Sequence, residues 1–464
     1  MGNDSIFSDK VSNFVVEIKN QNIPDDVMEM ARLGVADFIG VALAGSKEPI
    51  YDILLKYCQE MGGNEQASII GYNRKTSLYY AALINGAIGH ILDYDDWSIA
   101  VWGHPSVYLA PTVLALAEKI GATGRDILTA YVVGFEVCAS IPWIVKKHHY
   151  DQGWHITGTI GTIGAAAAAS WLLKLNCGQV KKAMGIAASL SGGIRANNGT
   201  MTKPLHAGQA AANGIQAAML AKGGFTAIGN IFEAKRGFIN AFGFNEKVDW
   251  AEATKRLGKV FAITGSEGLI IKPYPSCGGT HFAIEAVNYL KDNYTFAIED
   301  IVEIELGVNP LADLPLIYHA PLTGLEGKFS LEYSVAKALI SEHIGLNDFT
   351  DETVNDPLIK NLIGKMNWVV TYPMPEMGSA KEFDPKRITI KLKNGETISR
   401  EVLISKGMPD NPLTKKEFNF KFRDCASAVL PENNVEELLD TLERLIDADN
   451  IGRIMALTCR HQQV

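Results

Sequence analysis

Apolar residues in roughly the first 265 positions recur at three- and four-residue steps, the spacing that puts them on one face of a helix. Val27, Ala31, Val35, Phe38 and Ala42 keep this step after Pro24-Asp25-Asp26. A proline followed by acidic side chains suits a helix start, because its φ is already helical and the acids face the positive end of the dipole. The same period predicts helices over 50–61, 78–92, 107–120, 127–141, 157–173, 179–190 and 207–221. Many of them carry alanine and glycine on several faces, which lets helices approach closely in a multilayer bundle.

From about residue 266 the period changes. Ile301-Val-Glu-Ile-Glu-Leu306 alternates, Trp368-Val-Val-Thr-Tyr372 is rich in β-formers, and 388–392 runs through Lys393-Asn394-Gly395-Glu396 into an expected hairpin. Helical runs at 280–292 and 331–342 lie between these strands, so a sheet with helices on one face is predicted. Beyond Asn411-Pro412 the helical period returns, with 435–446 amphipathic. The fold class is therefore mainly α. A large all-helical domain comprises residues 1–266, a smaller α+β domain is inserted at 267–405, and residues 406–464 return to the first.

Composition changes this picture little. A chain of 464 residues with 47% hydrophobic and 20% charged side chains has the size of two domains and no tract suited to disorder. Its formal charge of -9, without any dense Lys/Arg block, excludes a nucleic-acid surface but leaves small anions to locally placed Lys and His. The six cysteines stand singly, so neither a zinc site nor a disulfide framework is indicated. No basic segment leads into an apolar one at the N-terminus, and the apolar run 158–173 is too short for a span; the expectation is a cytoplasmic protein without membrane contact. Gly158-x-x-Gly161-x-x-Gly164 lacks the dinucleotide spacing and reads as tight helix packing.

The chemistry concentrates in His90-Ile-Leu-Asp93-Tyr-Asp95-Asp96-Trp97 and Gly103-His104-Pro105-Ser106. Three acids and a histidine directly after an apolar helix are costly to bury unless paired or used. Further blocks are Gly153-Trp-His155-Ile-Thr157-Gly-Thr159, Thr202-Lys203-Pro-Leu-His206-Ala-Gly208, Ile271-Lys272-Pro-Tyr-Pro-Ser-Cys277 with His281, Lys328-Phe-Ser330, and Asn411-Pro-Leu-Thr414. In this order they resemble the MmgE/PrpD family across nearly the whole chain. That resemblance implies cofactor-free enzymes of small di- and tricarboxylates: 2-methylcitrate dehydratase, cis-aconitate decarboxylase and iminodisuccinate epimerase. It also implies a helical domain with a smaller α+β lid, and a homodimer.

The resemblance carries Asp93, His104, His155, Lys203, Lys272 and Tyr318 over as active-site positions. Lys203 and Lys272 suit the binding of substrate carboxylates, and both lie beside prolines that restrict the backbone. His104 and His155 suit proton transfer at carbon, with His104 the preferred base and Asp93 orienting or balancing one of them. Tyr318 either donates the returning proton or holds a carboxylate. Thr157, Cys277, His281 and Trp97 are expected to line the substrate pocket, with Trp97 and Trp102 departing from better-known members and narrowing it. Asp95 and Asp96 read as cap or network residues, and His206 as structural. The acids match no standard Mg²⁺ or Ca²⁺ loop, so no metal is expected.

Each residue has a plainer reading: a lone lysine is usually a solvated surface charge, and a lone histidine a core residue bonded to backbone. Their order within the blocks favours function. The expected activity is a lyase that abstracts a proton next to a carboxylate. A dehydratase comes first, a decarboxylase second and an epimerase third. A non-catalytic dimeric binding module is the rival from another class.

Overall fold

The computed structural model describes residues 6–18, 23–310, 312, 316–373 and 386–459. The chain divides into two compact units, Met1–Leu269 with Asn419–Val464 and Ile270–Phe418. The sequence boundaries at 266/267 and 405/406 thus lie at 269/270 and 418/419. The second shift has a local cause. Residues 405–418 stay with the smaller unit because Ser405 Oγ donates to Glu285 at 2.8 Å, Ile271 N–H reaches Gly407 O at 3.3 Å, and Lys406 Nζ pairs with Glu417 at 3.1 Å.

In the larger unit the expected helices form as Pro49–Met61, Leu78–His90, Ser106–Ile120, Gly124–Ser140, Ile156–Leu172, Cys177–Leu190 and Thr202–Lys222. Asp25–Gly45 opens on Pro24 with Asp25 and Asp26 in its first turn. Periodicity does not reveal Trp143–Asp151, whose Lys146-Lys147-His148-His149 run looks like a polar surface although Lys146 is buried. Thr202–Lys222 packs against both Ile156–Leu172 and Leu78–His90. Glycine makes the second crossing this close: a Cβ on Gly208 would sit 2.0 Å from Leu83 O, and one on Gly86 would sit 2.7 Å from Gly208 Cα. Gly161 lies against the Tyr108 ring, where a Cβ would come within 2.7 Å, so the 158–164 glycines serve helix packing.

The returning segment is fixed to the larger unit by a buried ion pair. Lys421 Nζ lies 2.6 Å from Asp37 Oδ1, in the middle of Asp25–Gly45, and donates to Tyr94 O at 2.8 Å. The amphipathic Glu432–Glu443 buries Val435, Leu438, Leu439 and Leu442, and Leu442 O accepts from Arg32 at 3.3 Å.

The smaller unit is built on a four-stranded sheet in the order Met366–Val370, Ile301–Val308, Lys386–Leu392, Thr397–Val402. The first pair is parallel and the others antiparallel. A register shift between Ile301 and Glu303 turns Ile304, Leu306 and Val308 inward, while Glu303 and Glu305 meet Lys391 at 3.1 and 2.7 Å on the opposite face. Gly395, at φ 87°, closes the hairpin. Gly278–Asn293 packs on the last two strands and on Leu331–Ile340.

Removing one partner of a buried ion pair strands the other charge. Lys421→Met is therefore expected to lower unfolding free energy by about 3–5 kcal/mol in denaturant titration, and the Asp37→Leu/Lys421→Met double variant to recover most of it. A single variant as stable as the parent would show that the pair does not hold the returning segment.

Candidate active site

The site grows from the C-terminal end of the apolar helix Leu78–His90. After His90 the chain turns sharply, with Asp93 in the left-handed region at φ 51°, a conformation that acidic side chains tolerate better than most. The turn sends successive acids to different partners. Asp93 Oδ1 receives Lys203 Nζ at 2.7 Å, with both side chains almost fully buried. Asp95 Oδ2 lies 2.9 Å from Nδ1 of His90 and 2.9 Å from Nδ1 of His104. Asp96 accepts the Ser106 N–H at 3.1 Å and its hydroxyl, which also meets Tyr131 OH at 2.6 Å.

The sequence offers Asp93 to orient or balance a histidine; the structure pairs Asp93 Oδ1 with Lys203 and sets Asp95 between His90 and His104. Asp95 is indeed a network residue, but the network is the histidine cluster itself. His90, which the sequence presents as a helix end, belongs to it too.

The hydrogen-bond pattern sets the tautomer of His104. Its Nδ1 faces only acceptors, Asp95 Oδ2 and Asp96 O, the latter at 2.8 Å. Nδ1 therefore carries the proton, leaving the Nε2 lone pair to act as a base. The His104 backbone N–H donates to Thr157 Oγ1 at 3.3 Å, so Thr157 positions the loop. His155 precedes Ile156–Leu172, its N–H donates to Gly193 O at 3.0 Å, and its Nδ1 lies 3.2 Å from Nδ1 of His206.

The electrostatics follow from burial. Burial alone would raise the Asp95 carboxyl, but His90 and His104 outweigh it and hold it well below the usual carboxylate range. Burial pushes His90 down to about 4, Lys203 adding to the effect against the pull of Asp95. His90 is thus a neutral imidazole donating through Nδ1 to an ionised Asp95. Burial likewise lowers His155, helped by His90 and Lys203. Asp96 goes the other way: burial raises it well above a normal carboxylate, and its bonds from Ser106 only partly offset this. Adjacent acids in opposite charge states are what burial with unequal partners produces.

The loop between Asp96 and His104 is pinned from outside by Trp143–Asp151. Trp102, at φ 60°, sets its ring 3.7 Å from that of Trp143 and 5.8 Å from that of Tyr150. Lys146 Nζ donates to Ala100 O and, at 3.1 Å, to Ala139 O, and burial lowers its ammonium to about 7. Trp97 is partly exposed at the start of this loop. His90, Asp95 and His104 also offer three metal-ligand atoms within 4.8 Å of one another. Asp95 Oδ2 bonds both imidazoles, while Asp95 Oδ1 and His90 Nε2 are buried without a hydrogen-bond partner among the described residues.

Lys272, Cys277, His281 and Tyr318 lie in the smaller unit. Lys272 is buried. Cys277 precedes Gly278–Asn293, and its N–H donates to Lys328 O at 2.9 Å. The buried His281 donates through Nε2 to Ser276 O at 3.1 Å and meets the Tyr274 ring edge-on at 5.4 Å. That nitrogen is committed to backbone. Tyr318 is half-buried, its N–H donating to Phe329 O at 3.4 Å.

Comparison with known proteins gives a consistent result. The chain is 29% identical to a cis-aconitate decarboxylase-like protein of Aspergillus oryzae, covering 97% of this chain and 96% of that one. It is 26% identical to the cis-aconitate decarboxylase of Homo sapiens, covering 95% and 92%. It is also 26% identical to the mitochondrial 2-methylcitrate dehydratase of Yarrowia lipolytica, covering 93% and 86%. Residues 9–251 match the MmgE/PrpD N-terminal domain and residues 274–445 the MmgE/PrpD C-terminal domain, and the chain belongs to the MmgE/PrpD family.

Proposed function

We propose that this protein is a lyase acting on a small polycarboxylate of the methylcitrate or aconitate kind, with its own side chains supplying the acid–base chemistry. The observation that carries the reading is the His104 imidazole, fixed by Asp95 with Nε2 free, beside the buried Lys203–Asp93 pair. Proton removal next to a carboxylate needs a base with an available lone pair and a cation for the charge that develops on the carboxylate oxygens. His104 Nε2 takes the first role. Lys203 takes the second, with Asp93 setting its position.

The enolate-like anion has two exits. Loss of hydroxide gives a dehydratase. In a decarboxylase a similar anion arises instead by loss of carbon dioxide, and a protonated imidazole delivers a proton to carbon. Relatives bearing each name cover most of the chain, and the shared anion explains how one site hosts both. The deciding assay offers methylcitrate, citrate and cis-aconitate separately and follows products by NMR in deuterated water. An alkene without carbon dioxide marks dehydration, and carbon dioxide with deuterium on a carbon of the remaining product marks decarboxylation. No conversion of any polycarboxylate overturns the reading.

His104→Ala is expected to lower kcat by about 10²–10⁴, and Asp95→Asn by a similar order because an amide also accommodates the wrong tautomer. Wild-type exchange of the substrate α-hydrogen in His104→Ala would assign the base elsewhere. Lys203→Ala and Lys272→Ala are each expected to lose about 2–4 kcal/mol in kcat/KM with the fold retained by circular dichroism. An unchanged kcat/KM removes that lysine from the mechanism.

A further inference from the structure

His206 has no part in the chemistry so far, yet it ends a row of four imidazoles. The ring of His104 lies 4.6 Å from that of His90, His90 stacks 6.0 Å from His155 at 11° between planes, and His155 lies 5.4 Å from His206. Within this row His155 and His206 bond directly, Nδ1 to Nδ1 at 3.2 Å. In such a pair one nitrogen carries the hydrogen and the other accepts it, so the contact is itself a path for a proton. His155 is buried and His206 only half-buried, so the path runs from interior towards water.

The surroundings keep the pair in register. His155 N–H is held by Gly193 O at 3.0 Å. A Cβ on Gly193 would come within 3.1 Å of His206 Cγ, and one on Gly158 within 3.1 Å of His206 Cβ. The ring therefore sits in a slot between two glycines that a larger residue at either position would close. The charged group acting on both histidines is Lys203, whose ammonium works with burial to disfavour the imidazolium of each. A proton arriving at His155 does not rest there.

We propose that His206 is the relay residue that passes protons between His155 and solvent during turnover. One proton moves per event. As His155 takes a proton at Nε2 it releases the hydrogen on Nδ1 to Nδ1 of His206, which gives up its own from Nε2 to water; the reverse sequence loads the site. Decarboxylation consumes one such proton per turnover. In dehydration the proton from carbon leaves with the hydroxide as water, so no net proton crosses the relay and its kinetic signature belongs to decarboxylation. This inference rests on the lyase reading for its kinetic consequence but not for its physical one.

Two variants test it, His206→Gln, which keeps a hydrogen-bonding group beside His155, and His206→Phe, which keeps the ring's bulk. The first readout needs no substrate: exchange of the His155 ring hydrogen with water, followed by ¹⁵N NMR of the full chain at neutral pH. It is expected to slow by roughly tenfold or more in both variants. The second is turnover: kcat falls while KM stays within about twofold, and added imidazole restores the rate in proportion to its concentration. Unchanged ring exchange in both variants overturns the relay. Slowed exchange with a kcat loss that imidazole leaves untouched overturns its role in turnover and leaves a structural contact. Should the parent protein convert no polycarboxylate, the lyase reading falls, and ring exchange alone decides the relay.

Discussion

A carboxylate sealed from water persists as an anion only where its partners return what hydration would have given it. Asp95 meets that condition through one oxygen, which takes two imidazole N–H donors while the other has no partner among the described residues, and much of the larger unit supports this arrangement. One donor stands at the end of a helix too apolar to move, and the other on a loop that must be held. Donating to Asp95 fixes the ring of His104, its tautomer and the direction of its lone pair. The acid thus decides which nitrogen is free to do chemistry.

The loop carrying His104 has little regular structure, so its rigidity is borrowed. Asp96 ties its start to Ser106 and Tyr131, and Lys421 reaches Tyr94 O from the returning segment. Lys146 holds Ala100 O, and two aromatic rings hold Trp102 in a backbone conformation unfavourable for a bulky residue. The ties come from several helices, with Lys146 and both rings on Trp143–Asp151. A left-handed tryptophan persists only where its surroundings over-determine it, and here they do.

Much of the architecture was legible because helix and strand periods are strong signals. The inserted sheet unit appeared as a change from period 3.6 to period 2, and the residues that gather around Lys203 appeared as ordered blocks. What escaped the sequence were facts of direction. Asp93, Asp95 and Asp96 are three acids in a row, and nothing in their order says that the chain turns left-handed at the first and that each meets a different partner. Nothing in the sequence marks Lys146 or Lys421 as buried, whereas each reaches a carbonyl of a segment distant along the chain, Ala100 and Tyr94 respectively. The second unit boundary was misplaced for a similar reason: Glu285, which holds residues 405 and 406 to the sheet unit, is remote along the chain.

The glycine contact between Leu78–His90 and Thr202–Lys222 bears on how such a scaffold can diversify. With Gly208 against the backbone of Leu83, neither helix can gain even a methyl group at the crossing without parting from the other, and the two carry His90, Lys203 and His206. Substitutions on these helices therefore disturb the acid–base groups together, and a lineage that changes substrate has few neutral steps available there. The segment from Trp97 to Gly103 is held in another way, by the buried side chains of Ser98, Ile99 and Val101 and by the Trp102 ring against Trp143. Divergence in substrate preference is expected to spare that helix crossing.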